Sequence, residues 1–562
     1  MKRSSLKNTE LNRREHRDQR ASIDISFLGA VARASCPCFL PPARCRRDAR
    51  SGEAILALCS IRGRDALATR PRHELCGKFR FLVLLGSALI LLHTVLAHSG
   101  EIRERPLAVS SFSNVREFGA VGDGKADDAG AFQRAVDSGR GDIFVPHGVY
   151  RFTKTVVADL DRIGPLSITG SGTAKIIMAG PGPALKLVGT HEGTADPDTV
   201  KENVWQNQRM PVVSGLEIVG ADPGACGVEA AGTMKATFSR LAIRKALHGI
   251  HLTGRNRNVI ISDCHIYENR GIGIYLDHVN LHQINVGNSH VSYNAGGGIV
   301  QRGGDVRNLQ VGNCDIEANM GEKAPPAANV LIDATGGSIG EIAITGCTLQ
   351  HAHNAPDSAN IRIIGEGLPH PYAEGELRGG NVTITGNVLS DVQVNIHLRK
   401  VRGVTIIGNT LWQGYTHDLL VEDSSSIVIG SNVSDRNPRY HYSDGATANR
   451  GLVFRNCRQV TLTGLNINNV WRKEGGLIME QCRHFNISGC VILDCDGCSI
   501  LMDDVQDTVV SGCTIGDTRG RDAKAAALVL KKGKDNLIAG NSFSGRLQIA
   551  ADSAKLMNNL EK

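Results

Sequence analysis

The chain of 562 residues is long enough for three or four domains, yet only 4% of it is aromatic and 64 residues are glycine. That composition suits a turn-rich, repetitive fold better than an α/β enzyme. Residues 1–80 hold 18 Lys/Arg against 8 Asp/Glu, so the net charge of +7 belongs to them; the remainder, 45 against 48, gives no reason to expect nucleic acid.

Residues 1–77 read as a basic leader, disordered or wrongly assigned. In 78–97 a short basic stretch precedes the apolar run Phe81–Leu92, and small residues stand before His98. This is the pattern of a Sec-type signal peptide, too short for a comfortable membrane span. A secreted, periplasmic or surface chain is expected, with a signal anchor in the membrane as the alternative if 79–97 stays uncleaved. A linker, 98–112, follows.

Residues 113–190 are read as an N-terminal cap and first coils. Val115-Arg-Glu-Phe-Gly-Ala-Val-Gly-Asp123-Gly-Lys-Ala-Asp127-Asp128 leads into a helical pattern with Ala131, Phe132, Ala135 and Val136 on its apolar face. Asp127 or Asp128 is placed to cap that helix, a role that outweighs catalysis for the pair. Val145-Pro146-His-Gly148-Val-Tyr150 follows as a strand. These roughly 40 residues closely resemble the N-terminal segment of the pectate-lyase superfamily, the rhamnogalacturonase/epimerase-like group. The resemblance implies a right-handed β-helix, a short helix capping its open end, and chemistry on acidic polysaccharide.

From about Val213 to Phe543 the chain repeats. Ile261-Ser-Asp-Cys264-His-Ile, Val311-Gly-Asn-Cys314-Asp-Ile and Ile406-Ile-Gly-Asn409-Thr-Leu are three copies of one unit. The repeated position runs Leu216, Leu241, Cys264, Ser289, Cys314, Cys347, Asn387, Asn409, Asn432, Leu465, Cys490, Cys513 and Asn541, mostly 22 to 25 residues apart. Each unit holds period-2 runs and Gly/Asn turns, so a single coil cannot bury its apolar face alone and must stack. The fold class is therefore all-β: a single-stranded parallel β-helix over 191–550, with 551–562 as a tail. Asn amides at the repeated position are expected to bond along a ladder.

Ten of the 15 cysteines lie in this body. Cys314 and Cys347, Cys490 and Cys513, and Cys457 and Cys482 fall on neighbouring coils, about 4.8 Å apart and wider than a disulfide wants. Buried free thiols are expected, and Cys495-Asp-Gly-Cys498 lacks the βαβ context of a redox pair. Longer insertions at 189–211, 320–329, 351–380 and 435–450 would wall a groove if they leave the same turn. His351 and His353 lack a third ligand, and no metal is assigned.

Family members act on the outward face of one parallel sheet, which can be written from the alternation. A first outward column reads His251, Tyr275, Val300, Leu331, Arg362, His397, Leu420, Val453, Ile478, Leu501 and Val529. A second reads Thr253, Asp277, Arg302, Asp333, Ile364, Arg399, Glu422, Arg455, Glu480, Asp503 and Lys531. The polar N-terminal half gives candidate catalytic groups Asp277, Asp333, His397 and Arg399, with His251, Tyr275, Arg302 and Arg362 binding substrate. Uronate chemistry needs a neutralised carboxylate and a base at C5, which the arginines and His397 or Tyr275 would supply. The second column alternates in sign, however, and stability alone would select that.

Ile274-Tyr-Leu-Asp277-His278 resembles the Asp-His segment of pectate lyases, where the Asp helps hold Ca2+, and the Tyr–Asp–His cluster of alginate epimerases. The catalytic motifs of polygalacturonases are missing except for Asp503-Asp504. Lyase or hydrolase action on an acidic polysaccharide is the leading expectation; a non-catalytic binding or structural rod is the alternative.

Overall fold

The structure is a computed structural model that describes residues 113–321, 327–437, 439, 445–520 and 526–562. The leader, the 78–97 segment and the linker lie outside the described residues.

Stacked parallel strands form a right-handed β-helix. Every coil presents three short strands, and each pairs in parallel with its equivalent on the next coil. In one coil these are 250–253 on a first face, 259–262 on a second and His265–Tyr267 on a third. Their partners are 274–277, 284–287 and His290–Ser292. The period-2 alternation sends Ile250, Leu252, Ile261 and Ile266 inward, where they are fully buried and stack on Ile274, Leu276, Val286 and Val291. The coil turns sharply because left-handed residues recur in columns: Asp263, Asn288 and Asn313 at one corner, Lys245, Glu268, Tyr293 and Ala318 at another. Asn and Asp tolerate that conformation; Tyr293 and Ala318 occupy it at a cost that stacking on both sides offsets.

Two interior ladders fill the corners. At the repeated position, Asn387 Nδ2 donates to Asn409 Oδ1 at 3.0 Å and Asn409 to Asn432 at 2.9 Å, as the repeat predicts. A second ladder, absent from the sequence reading, runs Asn269, Asn294, Asn319, Asn329, Asn360, Asn395 between the third and first faces. Each Nδ2 donates to the next Oδ1 over 2.7–2.9 Å.

At the N-terminal end the helix Ala129–Asp137 buries Ala131, Phe132, Ala135 and Val136, and Phe132 meets Tyr150 and Phe152 edge-on. The aspartates divide the work. Asp127 Oδ1 accepts from Ala129 N, while Asp128 accepts from Val121 N and Gly122 N and pins the preceding turn.

Three expectations are corrected. Residues 551–562 are not a tail: Ala554–Met557 and Leu560–Glu561 add another coil, with Asn559 continuing the Asn541 ladder. The 351–380 insertion is two loops, 351–358 and 365–379, separated by the strand Ala359–Ile364. In the backbone register Asp503 stands opposite Lys532 and not Lys531, because the register shifts there, although the Lys531 ammonium still reaches Asp503 at 3.5 Å.

Candidate functional site

The register confirms both outward columns up to Asp503. Outward does not mean open. Val300, Leu331, Leu420, Val453, Ile478 and Leu501 are buried in a second apolar cluster, outside the coil interior, against Ile272, Ala328, Ala359, Val394, Cys498 and Ala526. These are residues at the beginning of the strands themselves, where the chain comes off the preceding corner. The 351–358 loop adds to this cover: His353 stacks on Tyr415 with centroids 4.2 Å apart. The expected groove over 251–399 therefore narrows to its N-terminal part.

The candidate residues fall into two groups. In one, Arg362 is buried, with Nη2 on Asp357 and Nε donating to His397 Nδ1 at 3.1 Å. His397 Nε2 meets Glu422 Oε2 at 3.0 Å, and Arg455 bridges Glu422 and Glu480. Burial, then the Arg362 charge, holds His397 below the usual imidazole range. Every polar atom of Arg362 and His397 in this network faces protein. Arg399, exposed, stands opposite Ile364 and Glu422 and joins neither group.

The other group converges on Asp277. Its Oδ2 lies 3.2 Å from His251 Nε2, and its Oδ1 lies 2.8 Å from His278 Nδ1. Tyr275 stacks on His251 at 5.1 Å with 6° between planes, and its hydroxyl interacts with Asp277 and Arg302. Arg302 stands opposite Asp277 and Asp333 opposite Arg302, which leaves Asp277 and Asp333 two coils apart. Burial works against the Asp277 anion, but bonds from His278, His251 and Tyr275 outweigh it and hold the carboxyl below its usual value. Burial, then Asp277, pushes the Tyr275 phenol up, so it stays protonated. His248, against Tyr275 and His251, is lowered by burial to about 4 and is neutral.

Two contributors, His248 and Glu229, were missed in the sequence, and a third, His278, was named there only by resemblance. His248 sits in a turn without periodic signal. Glu229 stands opposite His251 and is paired with Lys186 at 2.9 Å; the columns were started one coil too late to include it. His278 follows an outward residue, so alternation turns it inward. Its backbone is left-handed, φ 47°, which instead swings the ring out onto Asp277 with the side chain 72% exposed. Gly303 leaves room for that ring: a Cβ there would lie 2.6 Å from His278 Cδ2. With Nδ1 donating to the carboxylate, His278 keeps a bare Nε2 towards solvent.

Asp277 is thus surrounded by imidazoles, whereas Ca2+, which the resemblance left open, wants several oxygens. Among the described residues no group of three or more His, Cys, Asp or Glu is placed to hold a metal ion.

Comparison with known proteins covers the described chain in three parts. The family model "Rhamnogalacturonase A/epimerase, pectate lyase-like" matches residues 112–203, "Right handed beta helix region" matches 203–365, and "Periplasmic copper-binding protein (NosD)" matches 357–561. A curated relative, "Probable pectate lyase 7" of Arabidopsis thaliana, is 26% identical over 123 residues, 22% of this chain and 25% of that protein. The chain thus matches only a quarter of that relative. Among solved structures, the A-module of the Azotobacter vinelandii mannuronan C-5 epimerase AlgE4 is 13% identical, covering 80% of this chain and 97% of its own, with TM-score 0.33. The Streptococcus pneumoniae surface adhesin PfbA is 13% identical over 79% and 99%, with TM-score 0.38. Gene product 12 of bacteriophage phi29 is 13% identical over 85% and 58%, with TM-score 0.47. The likeness is one of fold.

Copper, in the name of the third model, finds no ligand set here. The ten cysteines are free and buried, and burial pushes Cys264 up to about 11 and Cys495 to about 12. Thiols closed inside a packed core are out of reach of a soft metal.

Proposed function

We propose, for a chain that belongs to the right-handed β-helix family of pectate-lyase-like proteins, that it binds an acidic polysaccharide on the first face over 248–302 and transfers a proton at a uronate C5. The observation that carries this reading is the approach of His278 and His251 to Asp277, with Tyr275 stacked on His251 and Arg302 opposite Asp277 on the next coil. Arg302 neutralises the uronate carboxylate, which makes the C5 proton removable. His278 Nε2, oriented through Nδ1 by Asp277, takes that proton. The Tyr275 hydroxyl, kept protonated by its surroundings, donates to the leaving O4 as the C4–O4 bond breaks and a C4–C5 double bond forms. His251 and Glu229 hold Asp277 in place. If the enolate is reprotonated from the other side instead, the same groups perform an epimerisation.

Loops border this face along both edges: 189–211 and 365–379 leave after its strands, 351–358 and 445–450 precede them. Such a site requires an exported chain, in keeping with the signal-like segment 78–97. Among the described residues no helix is long and apolar enough to cross a membrane.

The test is incubation of the chain with pectins, alginate and sulfated polysaccharides. One follows the ultraviolet absorbance of unsaturated uronate, new reducing ends, and the C5 configuration by NMR. Absorbance or inversion at C5 supports the reading. Reducing ends alone would replace it with hydrolysis, and silence in all three would favour binding without turnover. The ion-paired ladder Glu422–Arg455–Glu480 supports that second reading for the C-terminal half, where charges satisfy one another.

A further inference from the structure

A cleft of about 540 Å³ opens beside the first face, over the corner between the first and second faces, within the ~300–1,000 Å³ usual for small-molecule sites. Its floor is backbone: Gly304 and Gly337 stack so closely that a Cβ on Gly337 would lie 1.9 Å from Gly304 O. Its far wall is the 365–379 loop, held by an antiparallel bridge between Glu366 and Arg378, by the Arg378–Glu376 and Arg402–Glu376 pairs at 2.6 and 2.9 Å, and by the Lys400–Glu366 pair. The wall is therefore preformed, and a ligand entering it would not have to order it.

The polar groups are held from behind. Arg257, 1% exposed, donates Nη2 to Asn280 Oδ1 at 2.7 Å and Nη1 to Asn280 O at 2.9 Å, which fixes the amide and leaves its Nδ2 for the cleft. Asp305 Oδ1 accepts from Ser338 Oγ at 2.6 Å and lies 3.3 Å from Arg307 Nη1, while Oδ2 lies 3.5 Å from His282 Nε2. The rim carries Leu368, 58% exposed, and Pro369. An amide donor, an oriented carboxylate acceptor and an apolar rim match the hydroxyls and the C–H face of a sugar ring.

We propose that this cleft is a second carbohydrate-binding site, taking a neutral, hydroxyl-rich pyranose. Each guanidinium that lines it already has a carboxylate, Arg307 with Asp305 and Arg378 with Glu376, and His370, the other basic group of the lining, accepts from Tyr372 N through Nδ1, so a uronate carboxylate would meet two acids whose arginines are already engaged. A sugar hydroxyl donates to Asp305 and accepts from Asn280. The site does not depend on turnover at Asp277, and it would let the chain grip a neutral or mixed segment of a glycan beside an acidic one.

The experiment is calorimetric titration of the full chain with cellotetraose, mannotetraose and tri-galacturonate, in wild type, Leu368→Ala, Asp305→Asn and Tyr275→Phe. Leu368 is exposed, so its variant keeps the fold even if Asp305→Asn does not. The expected result is a neutral tetrasaccharide that binds, with affinity about tenfold weaker in Leu368→Ala and Asp305→Asn and unchanged in Tyr275→Phe. Affinity unchanged in Leu368→Ala, or lost in Tyr275→Phe, would overturn the proposal. So would binding of tri-galacturonate alone, or of none of the three. Failure of the uronate assays with neutral binding intact would sink only the reading at Asp277.

Discussion

Asn395 Nδ2 donates to Asp418 Oδ1 at 3.0 Å, and that bond sets the direction of the whole second interior ladder. Upstream of it, each amide from Asn269 onward gives its N–H to the next oxygen, so the aligned dipoles end on an anion. Asp418 is in turn paired with Arg450 Nη2 at 2.9 Å and with Ser434 Oγ at 2.6 Å, and neither charged side chain is exposed. A chain of bonds polarised one way strengthens each member, and an unpaired charge at its end would be costly.

Removing one partner of that ion pair should therefore destabilise strongly. Arg450→Met leaves Asp418 buried and unpaired, at a cost of about 3–5 kcal/mol, while replacing both groups with apolar residues recovers much of it. Chemical denaturation measures the difference. A loss below about 1 kcal/mol for the single variant would show that water reaches the site.

At the candidate site, Gly303→Ala should act through His278, with a modest loss of stability besides, because Gly303 has a φ of +58°. The added methyl occupies the ring's place, so the imidazole leaves Asp277 while Tyr275 and Arg302 stay. Turnover on the polysaccharide identified in the uronate screen should fall by about 10²–10⁴, as for loss of a general base, with substrate affinity little changed. His278→Ala should match it. Full activity in both variants would remove His278 from the mechanism.

The buried imidazoles predict acid sensitivity. Burial lowers His417, whose ring nitrogens have no hydrogen-bond partner, to about 3, with Arg472, Arg455 and His397 adding to it; His248 falls to about 4. Below the unfolded value near 6.5 the unfolded chain takes up a proton that the folded chain refuses, so stability falls as pH drops from about 6.5 towards 4. Each group contributes a slope of up to about 1.4 kcal/mol per pH unit. Melting temperatures across that range should show the decline, and His417→Gln should flatten it. A slope unchanged in that variant would mean His417 is protonated in the fold.

The thiols should be inert in the native state. All ten cysteines of the described residues are buried and free, so alkylation mapped by mass spectrometry should label them only after denaturation. Native labelling of Cys495 or Cys498 would point to opening of the C-terminal coils.

Much of this was legible in the residues themselves. The coil, its period, the Asn387–Asn409–Asn432 ladder and the order of both outward columns follow from alternation and repeat, because stacking copies each position onto its equivalent. What alternation does not encode is burial from outside and the exceptions at corners. Val300 and Leu331 point outward yet lie covered, because residues at the beginning of the strands and loops from other coils pack over them. Arg362, read as a substrate group, and His397, read as a catalytic one, face Asp357 and Glu422, since an insertion of unpredictable path closes on them. His278 turns outward against the period because a single left-handed residue redirects its side chain. The sequence by itself determined the β-helix and which residues share a face, since both are properties of a local repeat. Only the tertiary structure decided which part of that face is open and which groups meet at Asp277, because those depend on how loops and corners distant in the chain come together.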